Sequence, residues 1–308
     1  MNIFKLFLRI LLSFIFVVSF FSCALAQEKS SKNKDYTNYY LQVYKADSLF
    51  YTGNFNSSYK ILNSLFKEYE PVELIRYKPY KLFVYSAIKV NASKNYKKLM
   101  KNLISRYGYC YNDLVSDSIF LRGLKIAKID SSDFKKLRKE YLNSLNKDLR
   151  KIIIEMNERD QAVRLSNIEN KEKQVAKVDK KNDSLLKKIY KNYGFPTKEL
   201  IGAASIDCKT YDKIDLLLIY NHMSYHGDYK YHREKLTKYV KEGKCDPVLL
   251  GHMIDRRNQI LGKDPVYYLF FNTYFENNPS KAKKIDSLRK NAGLPTLKQE
   301  EFWYKRFK

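Results

Sequence analysis

The sequence predicts an all-α protein, on three observations. Apolar residues recur at spacings of three and four through most of the 308-residue chain, the period of a helix with one buried face. Glycines and prolines fall between these runs, where helices stop and start. Alternating polar and apolar runs, the mark of half-buried strands, are few.

The elements follow in chain order. Lys5 and Arg9 precede an apolar run from Ile10 to Phe21, and Ala24-Leu25-Ala26 gives small residues before Gln27. This is the pattern of an export signal cut after Ala26. The run is short for a membrane span. The alternative is lipidation at Cys23, because Phe20-Phe21-Ser22-Cys23 loosely resembles a bacterial lipobox. Removing 26 residues leaves 282, enough for one large domain or two small ones. No second hydrophobic span follows, so an exported chain is expected in the periplasm or outside the cell.

Residues 27–35 are polar and read as a disordered linker. Tyr44 to Phe50 leads into Gly53-Asn54-Phe55, then Tyr59, Leu62, Leu65 and Phe66, with Pro71 beyond. That order reads as helix, tight turn, helix. A second pair is expected over 82–90 and 96–107. The first pair resembles a tetratricopeptide hairpin, with Ala46 at a small-residue packing position and Gly53-Asn54-Phe55 at the turn. Residues 36–130 are read as this hairpin region.

Residues 131–177 are expected to hold one long helix, capped by Ser131 or Ser132, with a charged extension or linker after Leu165. Its apolar stripe runs Leu142, Leu145, Leu149, Ile152, Met156 and then reaches Asp160. A carboxylate on a core-facing stripe needs partners, because burying an unpaired charge costs several kcal/mol or more. Arg164 lies one turn on and Gln161 stands beside it.

A polar site is expected within the helical region 178–292. Val178, Asn182, Leu185, Ile189 and Tyr193 share a face of one helix. Gly194 ends that helix, with Pro196 beyond. A short helix opens after Thr197, and 211–224 forms the most apolar helix of the mature chain. Residues 231–241 make another helix. Asp246-Pro247 starts the next, as cap and first-turn proline, and Gly262 ends it. Residues 265–275 read as a strand or a packed loop, 279–292 as a basic helix, and 293–308 as a basic aromatic tail.

Composition narrows the function classes. Net charge is +25, falling by two to +23 without the leader. The basic residues are spread along nearly every segment, which describes a solvated surface rather than a dedicated polyanion site. An anionic envelope ligand stays open as a partner, as does an unknown protein. Export disfavours nucleic acid. Cys110, Cys208 and Cys245 allow one intramolecular disulfide, and Cys208 with Cys245 is the preferred pair. No CxxC and no zinc-ligand spacing is present, and no metal or cofactor is expected. His222 and His226 sit one helical turn apart, with His232 beyond, but Gly227 follows His226 and no third ligand is specified.

The candidate site residues come from interrupted stripes. His222 projects from the apolar face of its helix, four residues after Leu218. Arg256 shares a stripe with Leu249, Met253 and Ile260, so it points inward toward a carboxylate, with Asp160 available. Asp255 flanks it, and His252 is placed at the rim. The candidates for catalysis are therefore His222, Asp160 and Asp255. Gln161, Arg164, Asn182 and Arg256 are the candidates for binding.

Arg159-Asp160-Gln161-x-x-Arg164, Asp179-x-x-Asn182 and Tyr193-Gly194-Phe195-Pro196-Thr197, followed by His222, Asp255-Arg256 and Gly262, resemble domain of unknown function family 6624 over about 156–268. The family carries tryptophan where Phe195 stands. It carries a Gln-x-Tyr-Gly run where this chain has Pro265-Val266-Tyr267-Tyr268. The resemblance implies a shared residue cluster and names no reaction.

Two main functions compete. One is a non-catalytic binding or interaction protein whose polar cluster holds helices together. The other is a hydrolase with His222 as general base, Asp160 or Asp255 orienting it, and Arg164 or Arg256 binding an anionic group. The second lacks Gly-x-Ser-x-Gly, His-Glu-x-x-His and a phosphate loop.

Overall fold

Apolar stripes at helical spacing become helices throughout the computed structural model, which describes residues 34–92, 94–269 and 278–307. The expected leader with Cys23, most of the linker and residues 270–277 lie outside the described residues. Fifteen helices and no strand are present among the described residues, and residues 36–308 form one compact unit.

The first helices are α1 (Thr37–Tyr51), α2 (Phe55–Glu68), α3 (Pro79–Lys89) and α4 (Tyr96–Ser105). Phe50 meets Phe55 at the turn while Tyr39 meets Phe66 at the far end, so α1 and α2 run antiparallel. Gly53 turns the chain at φ +82°, a backbone state open to glycine at little cost. Tyr59 and Phe66 of α2 then pack on Phe83 of α3. Helices α5 (Tyr111–Val115), α6 (Ser118–Ala127) and α7 (Ser131–Ser144) close this region.

The expected long helix over 131–165 is two helices. Leu145 adopts extended backbone, and α8 (Lys147–Leu165) begins afresh with the Asn146 side chain accepting from Leu149 N. Asparagine offers the backbone a competing partner and so favours a cap over a helix interior. The Asn146 N–H is taken by Leu200 O, 2.8 Å away. The cap of α7 is Asp130, bonded to Ser132 N and Asp133 N, in place of either serine.

Helix α9 (Lys171–Asn192) takes in much of the expected charged extension. Next come α10 (Lys198–Ile201), α11 (Leu216–His226), α12 (Tyr229–Lys241) and α13 (Pro247–Ile260). Asp246 caps α13 through Val248 N, with Pro247 at its first position. Residues 265–269 form an irregular packed segment without strand pairing. Helices α14 (Pro279–Asn291) and α15 (Leu297–Phe307) complete the chain, so residues 293–308, expected as a tail, contain a helix.

Both ends of this unit meet on α1. Tyr40 donates its hydroxyl to Val240 O and Cys245 O, and Tyr44 donates to Gly293 O. Arg306 of α15 pairs with buried Asp47 of α1 at 2.9 Å. A buried tyrosine needs a partner for its hydroxyl, and here the partners are carbonyls 200 to 249 residues further along.

Candidate functional site

The stripe that reaches Asp160 does turn inward. On α8 the buried positions are Leu149, Ile153, Met156 and Asp160, and on α9 they are Val175, Asp179, Asn182, Leu186 and Ile189. Both faces carry charge at one end, and both meet α11. Asp160 and Asp179 have no exposed side-chain surface.

Six side chains form a network of bonds there. His222 Nδ1 lies 2.8 Å from Asp160 Oδ1, and His226 Nδ1 lies 2.7 Å from Asp179 Oδ2. Arg164 donates Nε to Asp160 at 3.3 Å and Nη2 to Asp179 at 2.5 Å. Gln161 Nε2 donates to Asp160 Oδ2 at 2.8 Å. Every oxygen of the two carboxylates therefore has a donor. Burial pushes the Asp160 carboxyl up, but the His222, Arg164 and Gln161 contacts outweigh it and hold the group below the usual carboxylate range.

The arrangement orients imidazoles. A carboxylate on Nδ1 fixes the ring, and among the described residues Nε2 of His222 has no hydrogen-bond partner, the geometry used both for general bases and for metal-bound histidines. One ligand atom each from Asp160, Asp179 and His222 lies within 4.8 Å of the others. The Arg164 guanidinium already bridges those two carboxylates as the local cation, so this donor set fits an arginine rather than a metal ion.

Only part of the expected convergence on Asp160 occurs. His222, Arg164 and Gln161 reach it. Asn182 is buried one step away, its Oδ1 accepting from Arg159 Nη2 at 3.0 Å. Arg256 does not reach it. It is half-buried over the Tyr225 ring and bonds Gln259. The stripe registers differ by one residue, so Asp255 takes the inward position. Asp255 is buried elsewhere and accepts from Val266 N, Tyr267 N and Leu269 N at 2.7 to 2.9 Å. It anchors the 265–269 segment and does not orient His222. His252 is buried, not at the rim.

The preferred cysteine pair is also corrected. Cys110 is bonded to Cys208, and Cys245 is a buried free thiol. Spacing along the chain carries no information on which thiols the fold brings together.

His226 is a cluster member that the sequence reading does not include, and Asp179 enters that reading only through the family resemblance, not as a candidate site residue. Reading the α9 stripe from Val175 instead of Val178 would have found Asp179. A second missed feature had no sequence signal. A cavity of about 650 Å³ lies between the segment 72–78 before α3, α10, the Cys110–Cys208 region and the start of α13, within the size range of small-molecule sites. Tyr107, Tyr109, Tyr141 and Phe195 line it, together with Glu73, Lys78, Lys198 and Asp246. Lys78 Nζ and Lys198 Nζ each donate to Leu74 O at 2.8 Å, which places two amines side by side. Glu73 Oε2 is 3.9 Å from Lys78 Nζ, and its buried Oε1 accepts no hydrogen bond. Burial raises the Glu73 and Asp246 carboxyls. Burial and then the neighbouring Lys78 charge pull Lys198 down to about 7. Lysines are scattered along the whole chain, so nothing in the sequence marks this one.

Among known proteins, the chain matches no family model, no curated protein and no solved structure.

Proposed function

We propose that this is an exported, non-catalytic binding protein. Its small-molecule site is the cavity at Glu73 and Lys198, and the Asp160 cluster ties α8, α9 and α11 together. The observation that carries this reading is the contrast between the two polar sites. In the cluster every carboxylate oxygen is taken by a protein donor. The cavity is open space with apolar walls and a few convergent polar groups, one of them an orphaned acceptor. A disulfide fits a protein exposed to an oxidising compartment, which supports export. Of the residues in the family 6624 resemblance, Arg164, Asp160, Asp179 and His222 meet, whereas Asp255 and Arg256 stand apart.

A thermal-shift screen of small aromatic and aliphatic compounds tests the cavity. Binding at a hundred times Kd adds about 2.7 kcal/mol to stability. Compounds of this size should raise Tm for the wild type and not for Ala204→Trp, which places an indole in the cavity. A screen with no stabilising compound, or equal shifts in the variant, overturns the reading.

One observation favours a hydrolase as second reading: Asp160 orients His222 and leaves Nε2 for a substrate proton. Its test is a folded His222→Ala variant against an ester and phosphoester panel. Turnover by the wild type that the variant loses would establish catalysis. Turnover unchanged by the substitution would remove His222 from it.

A further inference from the structure

We infer that the cavity takes a small aldehyde or ketone with an apolar body, held as an imine on Lys198 Nζ. This rests on reading the cavity as the ligand site and adds the chemistry of the ligand.

Imine formation needs three things of a protein: an amine that carries a free lone pair, groups that can move protons, and a space that admits the carbonyl compound beside the amine. All three are present. Lys198 and Lys78 share the Leu74 carbonyl as acceptor. Two ammonium groups side by side repel, and the cheapest relief is for one of them to give up its proton. Lys198 is the one that does so: burial first, and then the Lys78 charge, brings its ordinary lysine value down to about 7. A neutral amine that donates one N–H to Leu74 O keeps its lone pair for a carbonyl carbon. Glu73, with its unoccupied Oε1 and raised carboxyl value, can both give and take a proton. Tyr107, Tyr109 and Phe195 supply the apolar wall.

The step balances without an oxidant or reductant. The Lys198 nitrogen forms a bond to the carbonyl carbon, and one proton passes from nitrogen to the carbonyl oxygen, giving a carbinolamine. A second proton leaves nitrogen as the hydroxyl departs as water, and the C–N bond becomes C=N. Amine and carbonyl compound go in; imine and water come out. Glu73 is placed to relay both protons.

The experiment uses benzaldehyde and sodium cyanoborohydride at pH 7 on the full-length mature protein, followed by peptide mass mapping. Hydride reduces the imine to a stable benzylamine. Lys198 should carry at least tenfold more label than any other lysine, and Lys198→Arg should lose that label while keeping the positive charge. Glu73→Gln should slow labelling of Lys198 severalfold. Label spread evenly over the lysines, or a Lys198 peptide no more marked than the rest, overturns the imine. Benzyl alcohol has the same body without the carbonyl and reports the cavity alone by its effect on Tm. Stabilisation by benzyl alcohol with no label on Lys198 removes the imine and leaves the cavity as a binding site. Neither stabilisation nor label removes both.

Discussion

Asp160 is where a single side chain decides most. It is fully buried, and removing one partner from a buried charged network costs about 3 kcal/mol or more. Asp160→Asn should lower unfolding stability by about 3 kcal/mol in urea titrations, because the amide cannot accept from both His222 and Arg164. Its folded-state pKa is depressed. The stabilising share is therefore present above the unfolded value near 3.8 and is lost as the pH falls through the folded one. The variant should lose that acid limb. His252 acts over a higher window. Burial, then the charges of Arg76 and Arg289, bring it from 6.5 to about 4. The unfolded chain binds the proton first, so stability falls between pH 6.5 and about 4, by about 3 kcal/mol. His252→Gln should flatten that slope. Periodicity exposed Asp160 because a carboxylate at a stripe position is an anomaly. It could not expose His252, since burial on a helix buried nearly all round leaves no contrast between faces.

Each helix start is a local contest between backbone and side chain. Asp130 holds two backbone N–H groups at the start of α7, so Asp130→Ala should cost about 1 kcal/mol. Ser131→Ala should stay within about 0.5 kcal/mol. Comparing the two by thermal unfolding checks which residue is the cap. The break between α7 and α8 has the same origin. The spacing of Leu142, Leu145 and Leu149 continues a helix, but Asn146 bonds Leu149 N and its own N–H is claimed by Leu200 O. The first partner is visible in the sequence and the second lies 54 residues away. On α9 the face was legible in period and displaced in register. Val178 and Leu185 point one way, Val175 and Leu186 the other, and only packing chose the second pair.

The whole unit is held by ties of long sequence span. Cys110–Cys208 closes a loop of 98 residues, and the chain-entropy cost it spares the fold is about 4.7 kcal/mol. A Cys110→Ser, Cys208→Ser double variant should lose about 3 to 4 kcal/mol, a fall in Tm on the order of 10 °C. Calorimetry under non-reducing conditions checks this. The same bond stands at the cavity wall, so its loss should also weaken any ligand-induced rise in Tm. The all-α class, the helix starts at Pro247 and Pro279, and the inward face of Asp160 and His222 were determined by the sequence itself, because helical period, caps and prolines act within a turn or two of their own position. The partner of Cys208, the outward placement of Arg256, the Asp179–His226 pair and the lone-pair chemistry of Lys198 were decided only in the tertiary structure. Each depends on groups brought together from distant segments, and on a burial that no local spacing encodes.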